Sequence, residues 1–395
     1  YFYFSPDYFY FKIDTSSKEN NLDIYLAIKE DAPERALKKF GISRVLVEID
    51  SSVYDDQFYS KVDTIRRRGI EYIKANKFFK PGIIIRSSYL KKNEIYSRKN
   101  HNITLSRFGN LGVFKFVNVR IVDDTVKGDS LNVFIDLVPM PRNSLSAEFQ
   151  AVTKSNNFIG PGVILGYLNR NLLRGAEKLN LDLHGNIETQ ISGQARGLFT
   201  YEIGPTARLS FPKFLLPFRI RNSNAFPPST QFVLDYNYFH RVYYFDMQSL
   251  KFSVEYRWKP TYTKEHMVSP LNITYLQVNN ITKEFGEILN YNPFLRQRYE
   301  DQLIAGTQYN FVYNEQVYEG KPRQWYFGAN VDVAGNTLSL LDRLFDQPEK
   351  GNNKFGGVIY AQYARFDFDL RNYIKVREKS KLALRLLTGI GIPYG

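Results

Sequence analysis

The chain has 395 residues, a formal net charge of +13 and no cysteine, which excludes disulfides, thiolate metal sites and cysteine nucleophiles. Its 29 tyrosines and 31 phenylalanines favour β-strands. No apolar run approaches the roughly eighteen residues that a membrane helix needs, and the basic residues are spread along the chain rather than grouped as in a nucleic-acid groove.

Residues 1–33 are predicted to form two strands joined by a polar turn. YFYFKID is followed by an alternation of Leu22, Ile24, Leu26 and Ile28 with polar residues. Because a lone hairpin is marginal in water, we expect these strands to be the C-terminal part of a domain that begins upstream.

Residues 34–142 are predicted to form a small α+β domain with the order β-α-α-β-β. ISRVLVEI indicates a strand, Pro81 indicates the start of a short helix, and Ser97 precedes a second helix that ends at Gly109 and Gly112. VFKFVNVRIVD and SLNVFIDLV indicate two further strands. The RRR run at 66–68 is interpreted as a solvated loop.

From residue 143 to residue 395 the sequence alternates with a period of two. In GAEKLNLDLHGNIETQIS, Leu181, Leu183 and Ile187 point to one face while Asp182 and His184 point to the other. About eleven such segments are predicted, most of them longer than the five or six residues usual in soluble sheets, and aromatic residues crowd their ends. This pattern favours a mostly β fold, a transmembrane antiparallel β-barrel. Because eleven is odd, we expect the barrel to be incomplete in this chain; a soluble β-protein is the alternative.

No catalytic motif is present. The four histidines form no short-range metal pair, and neither a nucleophile elbow nor a phosphate loop occurs. We therefore predict no catalytic residue, no metal site and no cofactor, and do not expect an enzyme. Asp367 and Asp369 are interpreted as ion-paired with Arg365 and Arg371 on the polar face of a strand.

Three stretches carry a resemblance to a known family. FKPGIII, NEIYS and LSRFGNLGVFKFVNVRI, within residues 79–121, resemble a POTRA domain. GYLNRNLLRGAEKL resembles the turn between early barrel strands of the outer-membrane barrel-assembly superfamily, which contains BamA and TamA. PKFLLPF through STQFVLDYNYFHRVYYFDMQSLKFSVEYRW resembles its Bacteroidota version, the BamA-like lipoprotein TamL.

The resemblance implies a sixteen-stranded barrel preceded by periplasmic POTRA domains, in the outer membrane of a Gram-negative cell. It implies the insertion of other barrel proteins, with client outer-membrane β-barrel proteins, periplasmic or lipoprotein accessory subunits and outer-membrane lipid as partners. No nucleic-acid partner is expected, because the basic residues are spread along the chain. The family's arginine-containing loop and last strands are expected after residue 395, and its lipid-bearing cysteine is absent from this sequence.

The leading hypothesis is assembly by β-augmentation, in which a poorly paired first barrel strand pairs with an incoming strand. The edge is assigned to Ser144, Leu145, Ser146, Ala147, Glu148, Phe149, Gln150, Ala151, Val152 and Thr153. A second edge, in the POTRA sheet, is assigned to Val117, Val119, Val133 and Ile135. A two-partner-secretion translocator and a passive outer-membrane channel are the alternatives.

Overall fold

The computed structural model describes residues 2–3, 5–14, 23–50, 63–74, 78–126, 128–155, 157–192, 198–217, 225–339, 354–355 and 358–394. The chain divides into two compact units, Tyr1–Pro141 and Arg142–Gly395. The sequence predicts the boundary between residues 142 and 143, and the observed division falls one residue earlier. None of the described helices is long and apolar enough to cross a membrane.

The first unit begins with an antiparallel hairpin. Strands β1 (Phe9–Asp14) and β2 (Asp23–Ile28) pair along their whole length, from Phe9 opposite Ile28 to Asp14 opposite Asp23. This confirms the two predicted strands; their polar turn lies outside the described residues. A short helix, α1 (Glu34–Leu37), follows.

A five-stranded sheet with two helices forms the rest of this unit. Its strands are β3 (Gly41–Ile49), β4 (Asp63–Arg67), β5 (Ile70–Lys74), β6 (Phe114–Asp123) and β7 (Ser130–Pro139), in the order β4-β5-β3-β7-β6. The helices are α2 (Pro81–Ser87) and α3 (Arg98–Leu111). As predicted, α3 begins after Ser97, whose Oγ accepts the Asn100 N–H at 3.4 Å, and ends at Gly112 with a φ of 62°. Gly109 lies inside α3 and does not end it.

The predicted order β-α-α-β-β was wrong because it lacked β4 and β5. Arg66 and Arg67 lie in β4, and only Arg68, with a φ of 56°, belongs to the turn before β5. Strand β4 has one apolar residue, Ile65, so no alternating pattern marks it. Backbone pairing with β5 holds it instead, and Glu71 of β5 accepts a hydrogen bond from Arg66 at 3.4 Å.

One extended antiparallel sheet dominates the second unit. Each of its long strands pairs with its neighbour along the chain, and β17 (Lys354–Phe355) and β18 (Val358–Tyr360) attach to it beside β15. The long strands are β8 (Asn143–Thr153), β9 (Phe158–Asn169), β10 (Lys178–Gln190), β11 (Phe199–Phe211), β12 (Ser229–Arg241), β13 (Phe245–Trp258), β14 (Lys264–Asn279), β15 (Gln302–Asn314), β16 (Arg323–Ala334), β19 (Tyr363–Arg377) and β20 (Ser380–Pro393). The predicted count of eleven is confirmed for the described residues.

The two faces of this sheet are polarised in the reverse sense of a soluble protein. On β10, Leu181, Leu183 and Ile187 are 41–49% exposed, whereas Glu188 on the opposite face is 7% exposed. We call the face of Leu181 the apolar face and the face of Glu188 the polar face. The end at which β8 begins is called the basal end, and the opposite end the distal end.

A helical connection packs against the polar face at the distal end. Helices α4 (Lys283–Tyr291) and α5 (Pro293–Arg296) lie between β14 and β15, as the helix-like run KEFGEIL predicts. Phe285 and Leu289 of α4 form a buried cluster with Phe245 of β13, and Phe239 and Met247 pack against it.

Candidate functional site: the open edge of β8

Strand β8 lies at one edge of the large sheet. It pairs with β9 over eleven positions, from Asn143 opposite Asn169 to Thr153 opposite Ile159, and no other described strand pairs with it. The side chains of Leu145 and Phe149 on its apolar face are each 84% exposed. The predicted edge residues 144–153 therefore form one continuous, accessible strand.

The register shows which backbone groups of β8 are open. The Arg170 N–H donates to the Arg142 carbonyl at 2.8 Å, and the Lys154 N–H donates to the Phe158 carbonyl at 2.8 Å. In an antiparallel ladder, hydrogen-bonded positions alternate along a strand. Even-numbered residues of β8 therefore direct their N–H and C=O groups toward β9, and odd-numbered residues direct theirs toward the open edge. The open groups belong to Leu145, Ala147, Phe149 and Ala151.

The basal end of β8 is fixed by the asparagine-rich turn that follows β9. Asn143 Oδ1 accepts hydrogen bonds from Asn169 Nδ2 at 2.8 Å and from the Tyr167 hydroxyl at 3.0 Å. Buried Asn171 accepts the Ala176 N–H at 2.9 Å, and Ala176 has a φ of 61°. The sequence motif here therefore has a structural role, which is to anchor the β8–β9 hairpin at one end.

Toward the distal end, β9 is less well connected to β10. The paired positions stop at Gly162 opposite Asn186 and resume at Ile159 opposite Thr189. Odd-numbered residues of β9 direct their backbone toward β10, and one of them, Pro161, has no N–H. A Cβ on Gly160 would lie 1.7 Å from the Ile187 carbonyl oxygen, so the two backbones touch there. The β8–β9 hairpin thus has a local break in its connection to the sheet.

A shallow apolar depression extends from the β8 edge across the next strands. Its volume is about 810 Å³, and its walls come from six consecutive strands, β8 to β13. Leu145 and Ala147 line it at the edge, Leu165 and Leu183 next to them, and Leu250 at its far side. An apolar strand or chain laid on this face would contact β8 and its neighbours together.

The opposite edge of the sheet is β20, which sequence patterning did not single out. β20 pairs with β19 from Tyr363 opposite Pro393 to Arg377 opposite Ser380, and every residue of β20 is exposed. On the polar face Arg371 and Arg385 lie directly opposite each other, and both bind Asp369. The predicted pairing of Asp369 with Arg371 is confirmed, and Arg365 binds Asp367 at 2.9 Å.

The candidate edge in the first unit divides into two cases. Val117 and Val119 lie in β6, which is an edge strand of the five-stranded sheet. Val133 and Ile135 lie in β7, which is paired on both sides, and each is 0% exposed. Their assignment to an edge was wrong because β7 is a central strand, and its alternating apolar residues form the core.

A small polar cluster anchors the end of β6. The Tyr3 hydroxyl donates to Asp123 at 2.5 Å, and Arg35 forms an ion pair with the same carboxylate. The hydrogen bond from Tyr3 and the guanidinium of Arg35 lower the pKa of Asp123. The cluster joins the N-terminal segment to β6, so it is a structural contact. Among the described residues, no group of three or more acidic or histidine side chains is placed to hold a metal ion.

Comparison with known proteins gives structural neighbours only. No family model and no curated protein matches the chain. Among solved structures, BamA from Haemophilus ducreyi lacking POTRA domains 1–3 shares 8% identity over 98% of this chain and 89% of its own, with a TM-score of 0.27. CdiB from Escherichia coli shares 8% identity over 90% of this chain and 69% of its own, with a TM-score of 0.40. CdiB from Acinetobacter baumannii shares 9% identity over 98% of this chain and 68% of its own, with a TM-score of 0.35.

Proposed function

We propose that this chain is an outer-membrane protein assembly factor whose second unit spans the membrane as part of a β-barrel and pairs with strands of client barrel proteins at the β8 edge. The first unit acts as a POTRA-like periplasmic docking domain. The observation that carries the proposal is the row of open backbone groups on β8 next to an exposed apolar face.

The apolar face has the dimensions and composition of a lipid-contacting surface. On β11 it runs from Tyr201 to Phe211 through Ile203, Ala207 and Leu209. Ten residues of strand extend about 33 Å, which at a tilt near 40° covers about 25 Å, the height of the apolar band of outer-membrane barrels.

Aromatic rings form a continuous belt on this face toward the basal end. The belt consists, in order, of Phe214, Trp258, His266, Phe311, Phe327 and Phe368. The centroids of successive rings are separated by 6.0 Å, 4.9 Å, 5.0 Å, 6.1 Å and 6.4 Å. Such rings are enriched where lipid tails meet head groups, which supports a membrane location for the sheet.

The open edge supports strand addition rather than a side-chain-specific binding site. An incoming strand would satisfy the open N–H and C=O groups of Leu145, Ala147, Phe149 and Ala151, and these contacts are independent of its side chains. In lipid an unsatisfied backbone group costs several kcal/mol, so the edge favours any partner strand. Broad client range follows from recognition by backbone. The β6 edge of the first unit, at Val117 and Val119, offers the same pairing to accessory subunits.

The test is a proline pair on the open side of β8. Ala147→Pro and Ala151→Pro remove outward N–H groups but leave the bonds to β9, and proline is tolerated on edge strands. We expect client assembly in reconstituted vesicles to fall at least tenfold. We also expect cross-links from Ser146→Cys to a client strand to disappear; the absence of native cysteine makes this label unique.

The matched control is Ala147→Val with Ala151→Val, which changes the same side chains but keeps both N–H groups. Its assembly activity should stay within twofold of the unmodified chain. Normal assembly by the proline pair would refute pairing at β8. Loss of one exported substrate without a general loss of outer-membrane proteins would instead indicate a two-partner-secretion translocator, and a large steady conductance without an assembly defect would indicate a passive channel.

A further inference from the structure

The charge on the second unit is concentrated at one end of the sheet. The basal rim, defined as residues 170–178, 211–217, 225–229, 257–265, 314–323 and 375–381, contains 13 Lys or Arg and 5 Asp or Glu. The distal rim is defined as the described residues of 154–157, 190–199, 241–246, 279–302 and 334–363. It contains 6 Lys or Arg and 5 Asp or Glu. The basal rim is therefore strongly positive, whereas the described distal rim is close to neutral.

Basic side chains flank the aromatic belt on its basal side. Lys213 precedes Phe214 and Lys259 follows Trp258. Lys264 and Arg323 share the apolar face with the belt, because Lys264 lies two positions before His266 and Arg323 lies two positions before Trp325. From the basal end inward, the order on this face is therefore cation, aromatic ring, aliphatic side chain.

Two of these cations lie over aromatic rings, as expected for long side chains that lie along an interface. The Arg323 guanidinium lies 4.8 Å from the centroid of the Trp325 ring, and the Lys259 ammonium lies 6.0 Å from that of Phe226. Their apolar stems follow the rings while the charged groups stay in water or among head groups.

Acidic neighbours neutralise only part of the rim. Lys259 pairs with Glu265 at 2.8 Å and Lys321 pairs with Glu315 at 3.1 Å. The Lys321 ammonium, the Tyr313 hydroxyl and the Trp325 N–H all donate to Glu315, which lowers the pKa of Glu315 and keeps it ionised. Arg257 also pairs with Glu255 of β13 at 2.8 Å. The rim still carries more than two basic residues for every acidic one, so it keeps a net positive charge.

We infer that the basal rim binds the phosphate groups of anionic phospholipids in the leaflet at the basal end. The inference rests on the proposed membrane location and adds a lipid class to it. A planar array of head groups fits better than an acidic protein, because the cations are distributed over five successive connections rather than gathered in one patch, and Lys264 and Arg323 border the apolar face directly.

The chain contains its own probes for this site. It has only two tryptophans, and both lie on the apolar face: Trp258 lies within the basal rim, and Trp325 lies two residues beyond it. Brominated lipids quench tryptophan fluorescence on contact. Full chain reconstituted in bilayers that contain either brominated phosphatidylglycerol or brominated phosphatidylcholine therefore reports the relative binding of the two lipids at this rim.

At low salt we expect phosphatidylglycerol to be favoured about fivefold over phosphatidylcholine. This factor corresponds to roughly 1 kcal/mol, the interaction of one nearby cation with an anionic head group. In 1 M salt the preference should approach one, because the Debye length falls to about 3 Å. The variant K213Q/K259Q/K264Q/R323Q should also lose the preference. The control K283Q/R296Q/R298Q/K354Q removes four charges from the distal rim and should keep it.

The outcomes separate this inference from the proposed function. Equal quenching by the two lipids in the unmodified chain would overturn the inference while leaving the membrane location intact. Absence of quenching by either lipid would overturn the lipid contact of the apolar face itself. If the fourfold basal variant fails to fold, the single variants K213Q and K264Q with the salt series give the same comparison. A preference for phosphatidylglycerol that survives both the substitutions and high salt would overturn the role of the rim.

Discussion

The contact between β9 and β10 at Gly160 gives a sharp test of the architecture at the edge. In Gly160→Ala, the new methyl carbon would lie 1.7 Å from the Ile187 carbonyl oxygen and 2.8 Å from the Glu188 Cα. Both are backbone atoms, so the strands must separate by more than about 1 Å to restore normal contact distances. The separation would break the backbone bonds of the Ile159–Thr189 pair and the bond from the Ile191 N–H to the Asn157 carbonyl. At about 1 kcal/mol for each of two to three hydrogen bonds, the expected cost is about 2–3 kcal/mol.

The matched control is Gly162→Ala, two positions along the same strand. Its methyl carbon would meet Asn186 Oδ1 at 2.3 Å, but that atom is the end of a rotatable side chain and has no hydrogen-bond partner to lose. We expect a cost below about 1 kcal/mol, since one rotamer change relieves the contact. Urea unfolding of the full chain in lipid vesicles measures both costs, and hydrogen exchange at Thr189 and Ile191, whose N–H groups face β9, locates the change. Equal destabilisation by the two substitutions would refute the reasoning.

Three further predictions concern local structure. Burial lowers the pKa of His101 below 6.5, so the unfolded chain binds the proton more tightly and stability should decrease as the pH falls below about 6.5. Urea midpoints of the unmodified chain and of H101Q, compared from pH 8 to 5, check this. A difference between the two midpoints that does not change with pH would contradict it. Asn171→Ala leaves the buried Ala176 N–H without its acceptor and should cost about 1–3 kcal/mol, measured by urea unfolding, with loss of hydrogen-exchange protection at Ala176. Val133→Ala in the core should destabilise by about 1–3 kcal/mol, whereas Val119→Ala on the half-buried edge strand should cost clearly less; similar urea midpoints would contradict the central position of β7.

The long strands of the second unit could be predicted because a period of two sustained over more than ten residues is typical of a strand and is not compatible with a helix. In β10 the alternation of Leu181 and Leu183 with Asp182 fixes the two faces as well as the strand. The helix-like run KEFGEIL in the β14–β15 connection also forms a helix, α4, whose buried residues Phe285 and Leu289 lie four positions apart.

The strands that the sequence missed are those held by backbone pairing rather than by burial. β4 has a single apolar residue, so a pattern of hydrophobicity carries no signal for it. The misplaced edge at Val133 and Ile135 has another cause. Strand order in a sheet depends on long-range pairing, and a strongly alternating strand such as β7 can lie at an edge or at the centre.

The candidate site was predictable in position but not in detail. Residues 144–153 were assigned as an edge, and β8 is an edge strand among the described residues. Which of its backbone groups are open depends on the register with β9, which the sequence does not specify. The break between β9 and β10 has a recognisable signal in the Gly-Pro-Gly run at Gly160, Pro161 and Gly162, because proline removes a ladder donor and glycine permits close backbone approach.

Helix α4 affects how readily anything could move along the polar face. Displacing it would expose Phe285 and Leu289, which are 6% and 4% exposed in the cluster around Phe245. Returning two such side chains to water costs about 3–6 kcal/mol, which limits the displaced state to less than about one molecule in a hundred at 25 °C. Transport along this route would therefore be rare and brief unless a bound substrate favoured the displaced state by a similar free energy.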